Sequence, residues 1–339
     1  MRYFAFVFFL FFSSCGLYEN EKNDKSEIII LSERINANPT DTDLLLLRVK
    51  YNKDRNNLES ALFDLNQCIQ IDSLNNNFHF SIAEIYFELS KKVNADREFP
   101  SLAVFHLEKA LKIDINDDKS NALLGELFLA YGRYKDAIKH FNISLNIKYN
   151  QAKTHMLMGY AFKQLEQLDK AIDCFRNALN VEPDFKEAFI QLGQIFHLRG
   201  DTDAIIYYNN ALRLDSIDEI TLYNKALFFQ SILDWNRALE AYSDLHKVNA
   251  FHSNGHYNIG FIHMELGLYD IAVNNFSDAI YGNSEFYEAY YSRGNCFETL
   301  GNIAQAEVDY TRAVQIKSDY SFAVEALKEL KFKNKEYIK

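Results

Sequence analysis

Proline, tryptophan and cysteine are scarce in this chain, with three Pro, one Trp and four Cys among 339 residues. So few prolines, and no sustained alternation of apolar and polar residues, leave helices to organise most of the chain. Four Cys over this length do not make a disulfide framework of the kind that staples small secreted domains. Positive charge is also in deficit: 36 Lys and Arg stand against 47 Asp and Glu, a net charge of −11. Nucleic acid is therefore not an expected partner, because phosphate neutralisation needs clustered cations. The longest uninterrupted apolar run, Tyr3–Phe12, has ten residues, whereas about 20 helical residues are needed to cross a bilayer core. Phosphate-cradling glycine loops, G-x-S-x-G, H-E-x-x-H and Cys-x-x-Cys are all missing, and with them the usual signs of nucleotide, acyl-transfer and zinc chemistry. No cofactor, metal or catalytic group is expected.

What the chain has in quantity is aromatic residues, 28 Phe and 21 Tyr, within a composition that is 48% hydrophobic. That is enough to bury a large core and excludes a disordered or fibrous chain. At about 150 residues per domain the length suggests two domains, but the pattern is periodic. Small residues recur at Gly125, Gly159, Gly193, Ala226, Gly260 and Gly294, in steps of 34 residues with a single step of 33. Three residues after each stands a ring: Phe128, Phe162, Phe196, Phe229, His263 and Phe297. A second small residue recurs at Ala137, Ala171, Ala204, Ala238, Ala272 and Ala306, followed four residues on by Phe141, Phe175, Tyr208, Tyr242, Phe276 and Tyr310. Both series share the one short step, at Gly200–Asp203, so they belong to one repeating unit.

This pattern resembles the tetratricopeptide repeat, whose period is about 34 residues. The resemblance implies an all-α fold: a right-handed α-solenoid of about eight helix pairs with an N-terminal half-repeat and a C-terminal capping helix. Full repeats are expected at 118–151, 152–185, 186–218, 219–252, 253–286 and 287–320, with more divergent ones at 41–75 and 76–117. The second of these has an insertion around Lys91–Ser101 that contains Pro100. A helix from Ser26 to Ala37 supplies the half-repeat, and the stretch from Asp319 to about Lys335 the cap. The solenoid then occupies residues 26–336.

The N-terminus reads as an address. Arg2, the apolar run to Phe12, and Ser13-Ser14-Cys15-Gly16 resemble the lipobox of bacterial lipoproteins. The resemblance implies a signal peptide over residues 1–14, diacylation of Cys15, and a polar tether to Lys25. It also implies an envelope location, with Gly16 after the cysteine favouring the outer membrane.

Candidate chemistry inside the repeats is thin. His252, His256 and His263 invite a metal reading, the first pair being four residues apart, but His256 and His263 stand where other repeats place packing rings. Asp117-Asp118 sits at a repeat junction, where Asp caps a helix. Cys68, Cys174 and Cys296 read as small buried apolar residues.

In tetratricopeptide arrays the inner groove is lined by the first helix of each pair, helix A, at its second, fifth, ninth and twelfth or thirteenth positions. Transferred to this sequence, the resemblance gives a partner-binding row of Lys153, Tyr160, Lys163, Gln194, Tyr223, Tyr257, Phe261, Tyr291 and Asn295. Tyrosines at such positions suit an extended peptide or a partner helix, because Tyr adds contact area and a polar handle. The family's carboxylate clamp is not expected, since Tyr160 stands where its Asn belongs. The resulting expectation is a non-enzymatic, lipid-anchored envelope adaptor with a protein or peptide partner. A second reading is a ligand-capture lipoprotein for uptake of glycan or peptide nutrients at the outer membrane.

Overall fold

Each full repeat becomes a helical hairpin because its sequence supplies a left-handed turn and a close-approach point in a fixed order. The structure, a computed structural model, describes residues 27–337, with side chains to residue 332. The expectations for the signal segment, Cys15 and the tether lie outside the described residues. Among those residues the chain is all-α. The helices are α1 (residues 27–37), α2 (Thr42–Asp54), α3 (Leu58–Ile71), α4 (Asn76–Ser90), α5 (Phe99–Ile113), α6 (Asp118–Ala130), α7 (Tyr134–Ile147), α8 (Ala152–Gln164) and α9 (Leu168–Val181). They continue as α10 (Lys186–Leu198), α11 (Asp203–Leu214), α12 (Glu219–Ser231), α13 (Trp235–Val248), α14 (Ser253–Glu265), α15 (Tyr269–Gly282), α16 (Tyr287–Thr299), α17 (Ile303–Ile316) and α18 (Ser321–Tyr337).

Some helix A starts are capped by side chains that accept first-turn amides: Asp117 from Lys119 N at 3.1 Å, and Asp218 from Thr221 N at 2.8 Å. His252 takes the same role for Gly255 N at 3.0 Å. The turn into helix B is a Schellman motif. In it the ring residue eleven places into the repeat accepts from the amide five residues on, as in Arg133 N to Phe128 O at 2.8 Å and Asn302 N to Phe297 O at 2.8 Å. The residue before that amide is left-handed in each of these six repeats, at Gly132, Glu166, Gly200, Leu233, Gly267 and Gly301, and Asn56 is left-handed in the matching turn that closes on Asn52 O. Glycine accepts this backbone without strain, and Glu166 and Leu233 do not. The short repeat keeps its turn at Gly200 and loses its residue from helix B, since α11 has 12 residues where α13, α15 and α17 have 14.

The insertion expected at Lys91–Ser101 is narrower, because Phe99, Pro100 and Ser101 already belong to α5. Proline's fixed φ suits a helix's first turn, where its missing N–H would have no partner anyway.

The described residues form two compact units, one ending at Cys174 and the other beginning at Phe175. In the first, α2 packs on α3, α4 on α5 and α6 on α7, and successive pairs stack. Apolar clusters run from Leu31, Ile35 and Leu45 to Phe128, Phe141 and Met158. In the second, α10 to α17 stack in the same sequence and α18 packs on α17 through Tyr310, Ala326, Leu327 and Leu330. The small residue in helix A is what lets each hairpin close. A methyl group on Gly193, Gly260 or Gly294 would lie 2.6, 2.8 or 2.8 Å from the ring of Tyr208, Phe276 or Tyr310. Those rings are buried, as are Cys68, Cys174 and Cys296. Burial pushes the Cys174 thiol up to about 12.

Two buried ion pairs share one geometry. Arg293 donates to both carboxylate oxygens of Asp309 at 2.8 Å and to Ser277 Oγ at 2.9 Å. Arg48 donates to Asp64 at 2.9 and 2.7 Å and to Ser32 Oγ at 3.2 Å, with identical sequence spacing.

The left-handed positions generate a test. Leu233 is 67% exposed, so Leu233→Gly removes little packing. It relieves a left-handed strain of about 1–2 kcal/mol against a glycine entropy penalty of about 0.5–1 kcal/mol. Urea denaturation should show a net gain of about 0.5–1 kcal/mol. Gly200→Ala, whose added methyl meets nothing within 4 Å, should lower stability by about 1–2 kcal/mol.

Candidate functional site

The helix A residues of the expected row fall in both units. Lys153, Tyr160 and Lys163 lie on α8 in the first, and Gln194, Tyr223, Tyr257, Phe261, Tyr291 and Asn295 lie on α10, α12, α14 and α16 in the second. Lys153 Nζ forms an ion pair with Glu126 Oε2 at 2.7 Å, so its charge is already matched within its unit. Tyr160 and Lys163 are half-buried, and burial pulls the Lys163 ammonium below its ordinary range.

In the second unit the three tyrosines at the fifth helix A position are half-buried rather than free-standing rings. Each presses against the buried ring of its own hairpin: Tyr223 on Tyr242 at 6.2 Å, Tyr257 on Phe276 at 5.5 Å and Tyr291 on Tyr310 at 5.8 Å between centroids. The reason is the close approach that the small helix A residue permits, which brings the helix B ring up beneath the row. Part of each tyrosine remains accessible. Gln194, Phe261 and Asn295 are half-buried as well.

The tyrosine hydroxyls reach toward the following repeat. Tyr223 accepts from Asn258 Nδ2 at 3.1 Å, and Tyr257 lies 3.5 Å from Ser292 Oγ. Asn258 and Ser292 each follow their tyrosine by 35 residues.

A second polar pattern explains the twelfth position. Where the buried helix B ring is Tyr, its hydroxyl needs a partner, and a polar helix A side chain supplies it. Tyr242 donates to Gln230 Oε1 at 2.6 Å and Tyr310 to Glu298 Oε2 at 2.9 Å, while Tyr208 lies 3.5 Å from His197 Nδ1. Where the ring is Phe141, Phe175 or Phe276, the twelfth position holds Leu129, Lys163 or Met264. Polar groups on this face are thus partly committed to the core.

The histidines do not assemble as a chelate. His252 caps α14, His256 Nε2 lies 2.9 Å from Ala250 O, and His263 Nδ1 lies 3.2 Å from Asn275 Nδ2. Among the described residues no group of three or more His, Cys, Asp or Glu side chains is placed to hold a metal ion. His246 stands outside that spacing; its ring stacks on His256 at 3.8 Å and its Nε2 is buried without a partner. Burial and the neighbouring His256 and His252 push His246 down to about 4.

The row also extends further than expected. Counting 34 residues on from Glu288, at the second helix A position of its repeat, and from Tyr291 and Asn295 leads to Phe322, Glu325 and Glu329 on α18. All three are exposed. The expected cap therefore carries row positions of its own, which continued counting at the repeat period identifies.

The tetratricopeptide repeat family model matches residues 152–185 and 287–320, residue for residue two of the repeats placed by spacing. The chain contains tetratricopeptide repeats, and its all-α hairpin fold is that of such arrays. The C-terminal part of a TPR repeat-containing protein from Cytophaga hutchinsonii is 13% identical, with 73% of this chain and 99% of that one covered at a TM-score of 0.63. This likeness shows the fold. Two partial likenesses are weaker. YrrB, described as a TPR protein with an unusual peptide-binding site, is 17% identical over 56% of this chain and 97% of its own, at a TM-score of 0.46. MamA is 17% identical over 50% of this chain and 94% of its own, at 0.44. No curated protein matches the chain in sequence.

The histidine stack predicts an acid sensitivity. His246 is held below the unfolded value of about 6.5, so the unfolded chain binds the proton first. The stability associated with the neutral ring is present above about 6.5 and is lost as pH falls toward about 4. His106, 3.0 Å from His79 between their Nδ1 atoms and also pushed down to about 4, acts in the same sense. Thermal melts at falling pH should show a declining Tm, and His246→Leu should flatten that decline in the second unit.

Proposed function

We propose that this chain is a non-enzymatic adaptor that holds a polypeptide partner against the helix A face of its repeats, anchored by lipid at the outer membrane of a bacterial envelope. Tetratricopeptide arrays are typically interaction scaffolds, and no residue cluster described above has the geometry of acid–base or nucleophilic catalysis. The observation that carries the reading is the row Tyr223, Tyr257 and Tyr291, each half-buried against the core ring of its own hairpin. Rings pinned in this way lose little side-chain freedom when a partner covers them, so their contact area converts efficiently into affinity. The anchor is supported by the apolar run and Ser13-Ser14-Cys15-Gly16. Multiple acyl chains on one residue give stable membrane attachment at about 0.8 kcal/mol per buried CH₂.

Photo-crosslinking side chains installed at Phe261 and Asn295 should capture a partner polypeptide in native envelopes, whereas one at Glu240 on helix α13 should not. Tyr257→Ala combined with Tyr291→Ala should reduce capture by about tenfold or more. Equal capture from Glu240, or undiminished capture by the double variant, rules out the helix A face. Separately, Cys15→Ser should abolish metabolic labelling with palmitate and release the chain from the membrane fraction.

A further inference from the structure

Helix α1 exposes a face that every full repeat buries. The Arg48–Ser32 contact and its counterpart Arg293–Ser277 place α1 in the register of α15. Glu27, Leu31 and Arg34 then match Ala272, Phe276 and Ala279. Those three are fully buried on α15, which packs beneath α14, the helix A of its own hairpin. On α1 Glu27 and Arg34 are exposed, and Ile30 between them is 55% exposed. Glu27 also stands where full repeats place the small helix B residue, so the side chain there does not invite a close hairpin. In the same register a helix A over α1 would fall on residues 8–20, which straddle the expected cleavage before Cys15.

Between α1 and α2 runs an open groove of about 430 Å³. Glu27, Ile30, Leu31 and Arg34 line it from α1, at spacings that put all four on one helix face. Leu47, 52% exposed, continues the apolar floor on α2. Lys50, Asp54 and Arg55 of α2 complete the charged lining, with Arg55 over the Tyr51 ring at 3.6 Å. Both signs are therefore present, three bases with two acids, and the groove has no large excess that would select a strongly charged ligand. Glu27 and Arg34 have no ion-pair partner among the described residues. They lie two turns apart, about 10 Å along the helix, too far to neutralise each other. The order along this face is acid, apolar, apolar, base. Read from the opposite direction it is base, apolar, apolar, acid, so the face is complementary to an antiparallel copy of itself.

We propose that two copies of the chain pair through this groove, with their α1 helices antiparallel about a two-fold axis that passes between Ile30 and Leu31. Glu27 of each copy then faces Arg34 of the other, and Ile30 and Leu31 meet their equivalents across the axis. Such a contact is isologous and closes at two copies. A parallel pairing would set Glu27 against Glu27 and Arg34 against Arg34, which fixes the direction. The pairing is independent of the polypeptide-binding reading above, since it uses none of the tyrosine row. Chains that share a membrane through lipid anchors meet at raised effective concentration, so a contact of two short helices suffices there.

The test is a charge swap, read by sedimentation velocity of the full chain in detergent as its concentration is raised. The native chain should pass from one copy to two. Glu27→Arg alone, or Arg34→Glu alone, sets like charges opposite each other twice and should weaken pairing by about tenfold or more. Both positions are exposed, so neither change disturbs the core. An equimolar mixture of the two variants should pair again, because each contact then joins unlike charges. The double variant Glu27→Arg with Arg34→Glu should also pair. Under mild oxidation Ile30→Cys should give a covalent dimer above the native baseline, whereas Ile206→Cys on α11, exposed to the same degree at 57%, should not. A chain that sediments as one copy at every concentration overturns the proposal. So does pairing that neither single variant weakens, or that the mixture and the double variant fail to restore. In native envelopes, a disulfide from Ile30→Cys to a different polypeptide, or to Cys15 of the same chain, would assign the groove to another occupant and overturn it as well.

Discussion

The contact on which the rest of the structure depends is a backbone pressed against a ring. In each full repeat helix A offers Gly or Ala at one point and helix B lays an aromatic side chain over it. At Gly125, Gly193, Gly260 and Gly294 there is no room for a methyl group without displacing that ring. The approach sets the distance between the two helices and hence the stagger with which the next pair stacks. It also exhausts the hairpin's capacity to bury its other face, so each repeat needs a neighbour. Where Ala226 replaces glycine, Tyr242 is still fully buried, so that hairpin takes in one methyl group without opening its core.

The same contact shapes the surface proposed for binding. A ring drawn beneath helix A supports the tyrosine one turn before the small residue, which is why Tyr223, Tyr257 and Tyr291 stand half-buried on rings of their own repeats. When the supporting ring is tyrosine, its buried hydroxyl requires a partner, and the face supplies His197, Gln230 or Glu298. Part of the row's polarity is therefore a consequence of the core. What remains for recognition is the set of side chains the core does not engage.

The period of the sequence was enough to place the hairpins, because glycine, alanine and rings at fixed offsets encode helix contact directly. The row residues were legible in position but not in exposure, since spacing says which helix face a side chain occupies and not what is packed beneath it. Glu166 and Leu233 concealed the left-handed turn, whose glycines at the equivalent positions 132, 200, 267 and 301 would have revealed it. His246 was missed for a related reason: it lies on helix B, and only the stacking of the next repeat brings His256 over it. The extension of the row onto α18 was readable in principle, but the stretch after Asp319 lacks the ring signature of a complete repeat and drew attention as a cap.

The two arginine–aspartate pairs show how the ends of such a row are held in place. Arg48 belongs to α2 and Arg293 to α16, while the repeats between 118 and 286 carry Leu124, Met158, Leu192, Lys225 and Ile259 at the corresponding position. Each arginine ties three successive helices, since its serine lies on the helix before and its aspartate on the helix after. Apolar contacts tolerate a small rotation of one helix against its neighbours. A bidentate pair does not, because a displaced guanidinium leaves a buried charge unmatched at about 3–5 kcal/mol. Arg293 is two residues from Tyr291, so the pair that fixes the rotation of α16 also fixes the direction in which Tyr291 presents its edge and hydroxyl.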